Sequence, residues 1–124
     1  MRFLLDTNVF NDRKFLEWIR EHGDEFYVSA VSAMELVYHH LKKGMPEGYT
    51  LSVLKAIGIK IADFGYEAAL QGAKSAIEKW DFSERAPDYA VLGAAKALDA
   101  VLVTHDKGQF AYEKVKTPGE VMNG

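Results

Sequence analysis

Short apolar runs of strand length alternate with longer helical patterns along the whole 124-residue chain. Such alternation admits few folds, because consecutive strands joined through helices lie parallel, in a sheet that the helices cover on both faces. The strand-like runs are Arg2–Leu5, Phe26–Val28, Ile59–Ala62, Val101–Val103 and Glu113–Lys116, and the helical patterns are Arg13–Glu21, Val31–Lys43, Glu47–Ile57, Tyr66–Lys79 and Pro87–Asp99. They predict an α/β fold: a three-layer α/β/α sandwich with a central, mostly parallel five-stranded sheet. The length suits one domain over residues 1–124, with enough chain to bury a core. No repeat, low-complexity tract or linker divides it.

Local breaks support this segmentation. Gly23, Gly44 and Gly58 each follow a helical stretch, where a left-handed cap favours glycine. Pro46 and Pro87 suit first helical turns, where a missing N–H is unpaired in any case. Ser29 or Ser32 can cap the second helix, and Ser32 with Glu35 matches the S-x-x-E capping box. Trp18 and Trp80 read as anchors of helices to the core.

Two of the strand runs end in an aspartate, Leu4-Leu5-Asp6 and Val103-Thr104-His105-Asp106. In an open parallel sheet the carboxyl ends of the strands face the ligand crevice, so these two acids are expected to meet there. Glu35 and Asp88 stand within helical patterns between them. Four carboxylates brought together repel one another unless a divalent ion sits among them, which points to a metal-dependent enzyme. Each acid also has a plainer explanation. Asp6 could close a strand as an Asx turn, Glu35 could complete a capping box, Asp88 could complement a helix dipole, and Asp106 could be a loop residue. Position favours function, with Thr7, Asn8 and Thr104 as supporting polar groups. His39-His40 has helical spacing and suits a surface or partner contact, and Glu17, Glu21, Glu78 and Asp99 suit solvated faces.

Composition narrows the chemistry. The absence of cysteine removes thiolate zinc sites and a cysteine nucleophile, leaving oxygen ligands or the four histidines. No phosphate-loop G-x-x-x-x-G-K and no G-x-G-x-x-G follows the first strand. A net charge of −3 does not advertise a basic nucleic-acid binder, although an ion would mask the acids of such a site. No run reaches the roughly 18 apolar residues of a membrane span, and no basic-then-apolar leader precedes the first strand, so a cytoplasmic protein is expected.

The ordered set Phe3-Leu4-Leu5-Asp6-Thr7-Asn8-Val9, Ser29 to Leu36, Asp88 to Ala97, Leu102-Val103-Thr104-His105-Asp106 and Val115 to Glu120 resembles the PIN-domain ribonucleases, and within them the VapC-like toxins of toxin–antitoxin pairs. The resemblance spans nearly the whole chain. It implies Mg²⁺ or Mn²⁺ as cofactor and endonucleolytic cleavage of RNA. It also implies an acidic site of Asp6, Glu35, Asp88 and Asp106, with Thr7, Asn8 and Thr104 in support. Many relatives carry a further acid two residues beyond the last aspartate, where this chain has Gly108. Hydrolysis at such a site uses ion-activated water, with no side-chain nucleophile. Arg13, Lys14, Lys42, Lys43, Arg85 and Lys107 flank the site segments as candidate phosphate contacts.

The implied partners are an RNA substrate, an antitoxin protein and a second copy of the chain, with no membrane. The homodimer is expected through Leu36, Val37, Tyr38 and Leu41, with Trp18 and Ile19. Competing readings are a maturation or quality-control nuclease, a catalytically silent PIN scaffold that binds RNA or a partner, and a receiver-like phosphoacceptor. The last should have a lysine at the end of its final site strand, where Thr104-His105-Asp106 stands.

Overall fold

A computed structural model describes all 124 residues. Strands β1 (Arg2–Leu5), β2 (Glu25–Ser29), β3 (Ile59–Ala62), β4 (Val101–Val103) and β5 (Val115–Lys116) form one sheet in the order β3-β2-β1-β4-β5. Every neighbouring pair is parallel, a stricter arrangement than the mostly parallel one expected. The composition of β1 explains its central place: Phe3, Leu4 and Leu5 are all buried, as a strand covered on both faces requires.

Side chains alternate across the pleat and so build two cores. Phe3, Leu5, Val28 and Val103 face one side, where they pack with Phe15 and Ile19 of α1 (Arg13–Arg20), Ala33 of α2 (Ala30–Lys42), Leu54 of α3 (Tyr49–Ile57) and Val121 of α6 (Pro118–Asn123). Leu4 and Leu102 face the other, against α4 (Tyr66–Ala76) and α5 (Phe82–Leu98). The three-layer sandwich follows. Helices α4 and α5 touch through glycine. A Cβ on Gly93 would lie 2.2 Å from the Ala68 carbonyl oxygen and 2.8 Å from the Gly72 nitrogen, so only hydrogen fits at this crossing.

The chain leaves β1 in opposite directions: β2 and β3 lie to one side, β4 and β5 to the other. A crevice opens at such a reversal, outside the carboxyl ends of the two central strands. Those ends are Leu5 and Val103, which are paired in register.

Several local expectations need correction. Helix α5 starts at Phe82, ahead of Pro87, and is broken at Arg85 (φ −121°, ψ 23°), because a proline cannot continue the hydrogen-bond ladder of the turn before it. Ser29, not Ser32, caps α2, its Oγ accepting from the Ser32 N–H at 3.0 Å, so the Ser32–Glu35 capping box does not form. Gly44 and Gly58 take left-handed conformations and Gly23 does not. Pro46 precedes a turn and α3 begins only at Tyr49, while α4 stops at Ala76. Trp80 is 99% exposed and anchors nothing, whereas Trp18 stacks on Phe15 and packs against the core. Helix α6 has no counterpart in the periodicity. It is a six-residue helix held by a Thr117–Glu120 capping box with Pro118 in its first turn.

Candidate metal centre

Strand register brings the first site residues together. One step beyond the Leu5–Val103 pair, the Asp6 N–H donates to the Val103 carbonyl at 2.9 Å, and the Thr104 N–H donates to Lys116 at 3.0 Å. Thr104 is completely buried, which makes its hydroxyl a fixed junction. That hydroxyl donates to Asp6 Oδ2 at 2.9 Å and accepts from Asn8 Nδ2 and from the Asp106 N–H, both at 3.1 Å. Asn8 closes the network: its Nδ2 reaches Asp106 Oδ2 at 3.3 Å and its Oδ1 accepts from the His105 N–H at 3.2 Å. The ends of β1 and β4 are thus tied by side chains as well as by the sheet. Thr7 contributes differently from expectation, through its backbone N–H, which donates to Asp6 Oδ1 at 2.8 Å and starts a 3-10 turn over Thr7–Asn11.

The other two acids come from helices. Glu35 lies in the second turn of α2, which starts directly at the end of β2. Asp88 lies just after the Arg85 break in α5, and Arg85 Nε donates to its Oδ2 at 3.2 Å.

All four acids share one electrostatic field. Burial raises the Asp6 carboxyl above its ordinary range, hydrogen bonds from Thr104 and Thr7 oppose that, and the charges of Asp88 and Asp106 add to it. Burial likewise raises Glu35, as do Asp6 and Asp88, while His39 pulls it down. In both, burial is the largest cause and the neighbouring carboxylates add to it. The convergence is looser than the sequence suggests, however: no three His, Asp or Glu side chains are grouped closely enough to hold an ion. The donors are nonetheless all oxygen, the set that suits a hard divalent cation such as Mg²⁺ or Mn²⁺.

One brace beside the site, made by Asp12, is not apparent from the sequence. Asp12 caps α1 through the Phe15 N–H at 3.0 Å, and its other oxygen lies 3.3 Å from His105 Nε2, bracing the loop that carries Asp106. Asp12 ahead of a helical pattern is a recognisable cap, but its second partner is not local. Among the expected phosphate contacts, Arg85 is engaged by Asp81 and Asp88, and Lys107 by Glu120 at 2.9 Å. Lys42 lies over the Tyr38 ring, and Arg13, Lys14 and Lys43 are exposed. His40 turns inward to Thr50 Oγ1 at 2.6 Å, so it is a packing residue.

Comparison with known proteins agrees with this architecture. Similar folds occur in a toxin–antitoxin complex from Klebsiella pneumoniae (22% identity, TM-score 0.72, covering 93% of this chain and 96% of that one). They occur also in VapBC-1 from nontypeable Haemophilus influenzae (16%, 0.71, 96% and 99%). A third is VapBC2 from Rickettsia felis bound to a DNA fragment from their promoter (19%, 0.67, 94% and 98%). A search of curated proteins gives no match. The PIN domain model matches residues 3–115, nearly the full length, and with the all-parallel sheet and the acids at its switch point it assigns this chain to the PIN-domain family.

Proposed function

We propose that the protein is an endoribonuclease dependent on Mg²⁺ or Mn²⁺, and that it acts as the toxin of a toxin–antitoxin pair. The observation that carries this reading is the hydrogen-bonded network of Asp6, Thr104, Asn8 and Asp106 at the carboxyl ends of β1 and β4, with the charges of Glu35 on α2 and Asp88 on α5 beside Asp6. PIN domains are generally nucleases that use divalent metals, which supports the same reading. Asp6, Asp88 and Asp106 would hold the ion, and Glu35 would complete the set or take a proton from the attacking water. When bound, a divalent ion there supplies positive charge to the phosphodiester and acidifies water.

The chain's own groups divide the remaining work. Thr104 and Asn8 fix Asp6 and Asp106 relative to each other, so those two carboxylates need little reorganisation to act together. An ion at Asp88 would compete with Arg85 for that carboxylate, and a substrate phosphate would compete with Asp88 for the guanidinium. Incubating mixed RNAs with the protein in Mg²⁺ and in chelator tests the activity: cleavage in Mg²⁺ alone is expected, and intact RNA in Mg²⁺ and Mn²⁺ alike refutes it.

The toxin role is supported by the toxin–antitoxin complexes among the structural neighbours, and it makes an antitoxin the expected protein partner. Growth arrest on expression, relieved by the product of an adjacent short reading frame, is the expected result. A homodimer is also proposed, with its contact revised from the sequence expectation. Ile19 is buried, and Trp18 and Leu36 pack against the core, but Tyr38 and Leu41 of α2 are exposed together with Met34. These residues follow one another at three- and four-residue spacing and present an apolar stripe. An interface centred there would bury at least roughly 1,200 Å² in total. A monomeric mass by light scattering at micromolar concentration would exclude it. No helix is long and apolar enough to cross a membrane, and the proposed site of action is the cytoplasm.

A further inference from the structure

Beside Asp88 a pocket of about 320 Å³ opens between α4, α5 and the loop that follows β4. Asp88, Leu92 and Lys96 line it from one face of α5, at four-residue spacing, with Ser75 and Lys79 opposite. Its charges do not cancel. Lys79, Arg85 and Lys96 face only two carboxylates, Asp81 and Asp88, and Arg85 serves both, at 3.5 and 3.2 Å. Asp81 is further held by the Tyr89 hydroxyl at 2.7 Å.

Lys79 and Lys96 have no acidic partner, since neither takes part in any ion pair of the molecule. Lys96 is the more telling of the two. It is partly buried, yet its ammonium donates only to Ser75 Oγ at 2.7 Å and lies 5.9 Å from the centre of the Tyr112 ring. An ammonium has three donors, and withdrawing it from water without an anion is unfavourable. Trp80, which stands in the chain between the lining residues Lys79 and Asp81, leaves its indole bare. Cationic groups that track a backbone, with an aromatic surface on which a base can stack, are the two components of a single-stranded nucleic-acid site.

The geometry points to a nucleotide subsite for single-stranded RNA in this pocket: Lys96 and Lys79 take a backbone phosphate, and Trp80 stacks on the neighbouring base. Eight residues of helix separate Asp88 from Lys96, about 12 Å along the axis, so the phosphate held at Lys96 is not the one cleaved at the acidic site. The subsite rests on the nuclease reading, and it deepens that reading by giving the substrate a direction along α5. A polar, net-cationic lining continuous with Asp88 favours RNA over a protein segment as the occupant.

Binding of a short, dye-labelled, mixed-sequence single-stranded RNA to the full chain, followed by fluorescence anisotropy in chelator, tests this without any cleavage. Lys96→Gln and Trp80→Ala should each weaken binding by about fivefold to a hundredfold. Loss of one phosphate contact in Lys96→Gln should also reduce the slope of log affinity against log salt by about 0.7, a change absent from Trp80→Ala. Trp80 packs on nothing, so its replacement leaves the fold intact and keeps the test valid if Lys96→Gln is unstable. Unchanged affinity in Trp80→Ala and in folded Lys96→Gln, an equal loss in Lys55→Gln, an exposed lysine of α3 on the other face of the sheet, preference for an acidic peptide over RNA, or no RNA binding by the wild type would each overturn the subsite. The nuclease reading fails separately, through absence of cleavage in Mg²⁺ and Mn²⁺ while the binding pattern in chelator is retained.

Discussion

Replacing Thr104 with valine removes one oxygen from the centre of the site and leaves the shape of the side chain nearly unchanged. Three hydrogen bonds go with it: the one donated to Asp6 Oδ2 and those accepted from Asn8 Nδ2 and the Asp106 N–H. A typical net contribution of about 0.5–1.5 kcal/mol for each bond sets an upper limit of about 4.5 kcal/mol. The true cost is lower, because the Asn8 amide keeps its Asp106 contact and the Asp106 end of the network is open to water. Asp6 bears most of the loss, since it is half-buried while Asp106 is exposed, and it keeps only the Thr7 N–H. We therefore expect Thr104→Val to cost about 2 kcal/mol in urea denaturation at neutral pH, with an unchanged m-value. Thr104→Ser, which restores the hydroxyl, should recover at least half of this. Wild-type stability for Thr104→Val would refute the view that this hydroxyl holds β1 and β4 together at the site.

Further tests address the charges and the packing. Asp6→Asn should leave the protein folded in chelator and reduce the rise in melting temperature that Mn²⁺ produces, a rise worth about 2.7 kcal/mol at a hundredfold excess over Kd; an equal rise in both proteins would remove Asp6 from the ion's ligands. The native Asp6 and Glu35 carboxyls hold protons more tightly than their unfolded values of 3.8 and 4.5. Their contribution is therefore fully present below those values and is lost as pH rises through the raised native ones. In chelator, wild type should accordingly lose stability relative to Asp6→Asn/Glu35→Gln across that window, and parallel pH profiles from urea titrations would contradict this. Gly93→Ala would place a methyl 2.2 Å from the Ala68 carbonyl and should cost about 3 kcal/mol by forcing α4 and α5 apart; a loss below 1 kcal/mol would show that the crossing can yield.

Much of the architecture is legible in the chain because burial on both faces leaves a continuous apolar run. Strands β1 and β4 carry the bounds expected of them, and β1, the most buried, is the plainest; the edge strand β3 keeps its bounds although Lys60 and Ile61 are exposed. Features that depend on few residues are less visible. Helix α6 is too short for a 3.6-residue period to show, although Thr117-Pro118 followed by Glu120 carries its cap and its first turn. The start of α5 was obscured by Pro87, which marks a first turn only because Arg85 has already broken the helix before it. Trp80 illustrates a different limit: a large apolar side chain reads as core, but exposure depends on whether a partner faces it.

The candidate acids stand out by position, since Asp6 follows a buried strand and Asp88 precedes an apolar stretch of helix. Their mutual arrangement does not. The link from Thr104 to Asp6 exists because Leu5 pairs with Val103, a register set by sheet order and absent from either segment's own sequence. The tightness of the cluster was overestimated for a related reason: spacing along the chain places carboxylates at one end of a sheet without fixing where their oxygens point.

RNA cleavage by a set of one-charge variants tests the central claim, that four acids from four segments form a single metal-dependent hydrolytic site. Wild type, Asp6→Asn, Glu35→Gln, Asp88→Asn and Asp106→Asn, each shown to be folded, would be compared on one RNA under Mg²⁺ and Mn²⁺ titration. The account predicts cleavage by wild type only with added ion, and a loss of at least about a hundredfold in each variant, as for removal of an acid–base group or a metal ligand. Wild-type rates in any folded variant would contradict that acid's place in the site, and equal cleavage in chelator would contradict the site altogether.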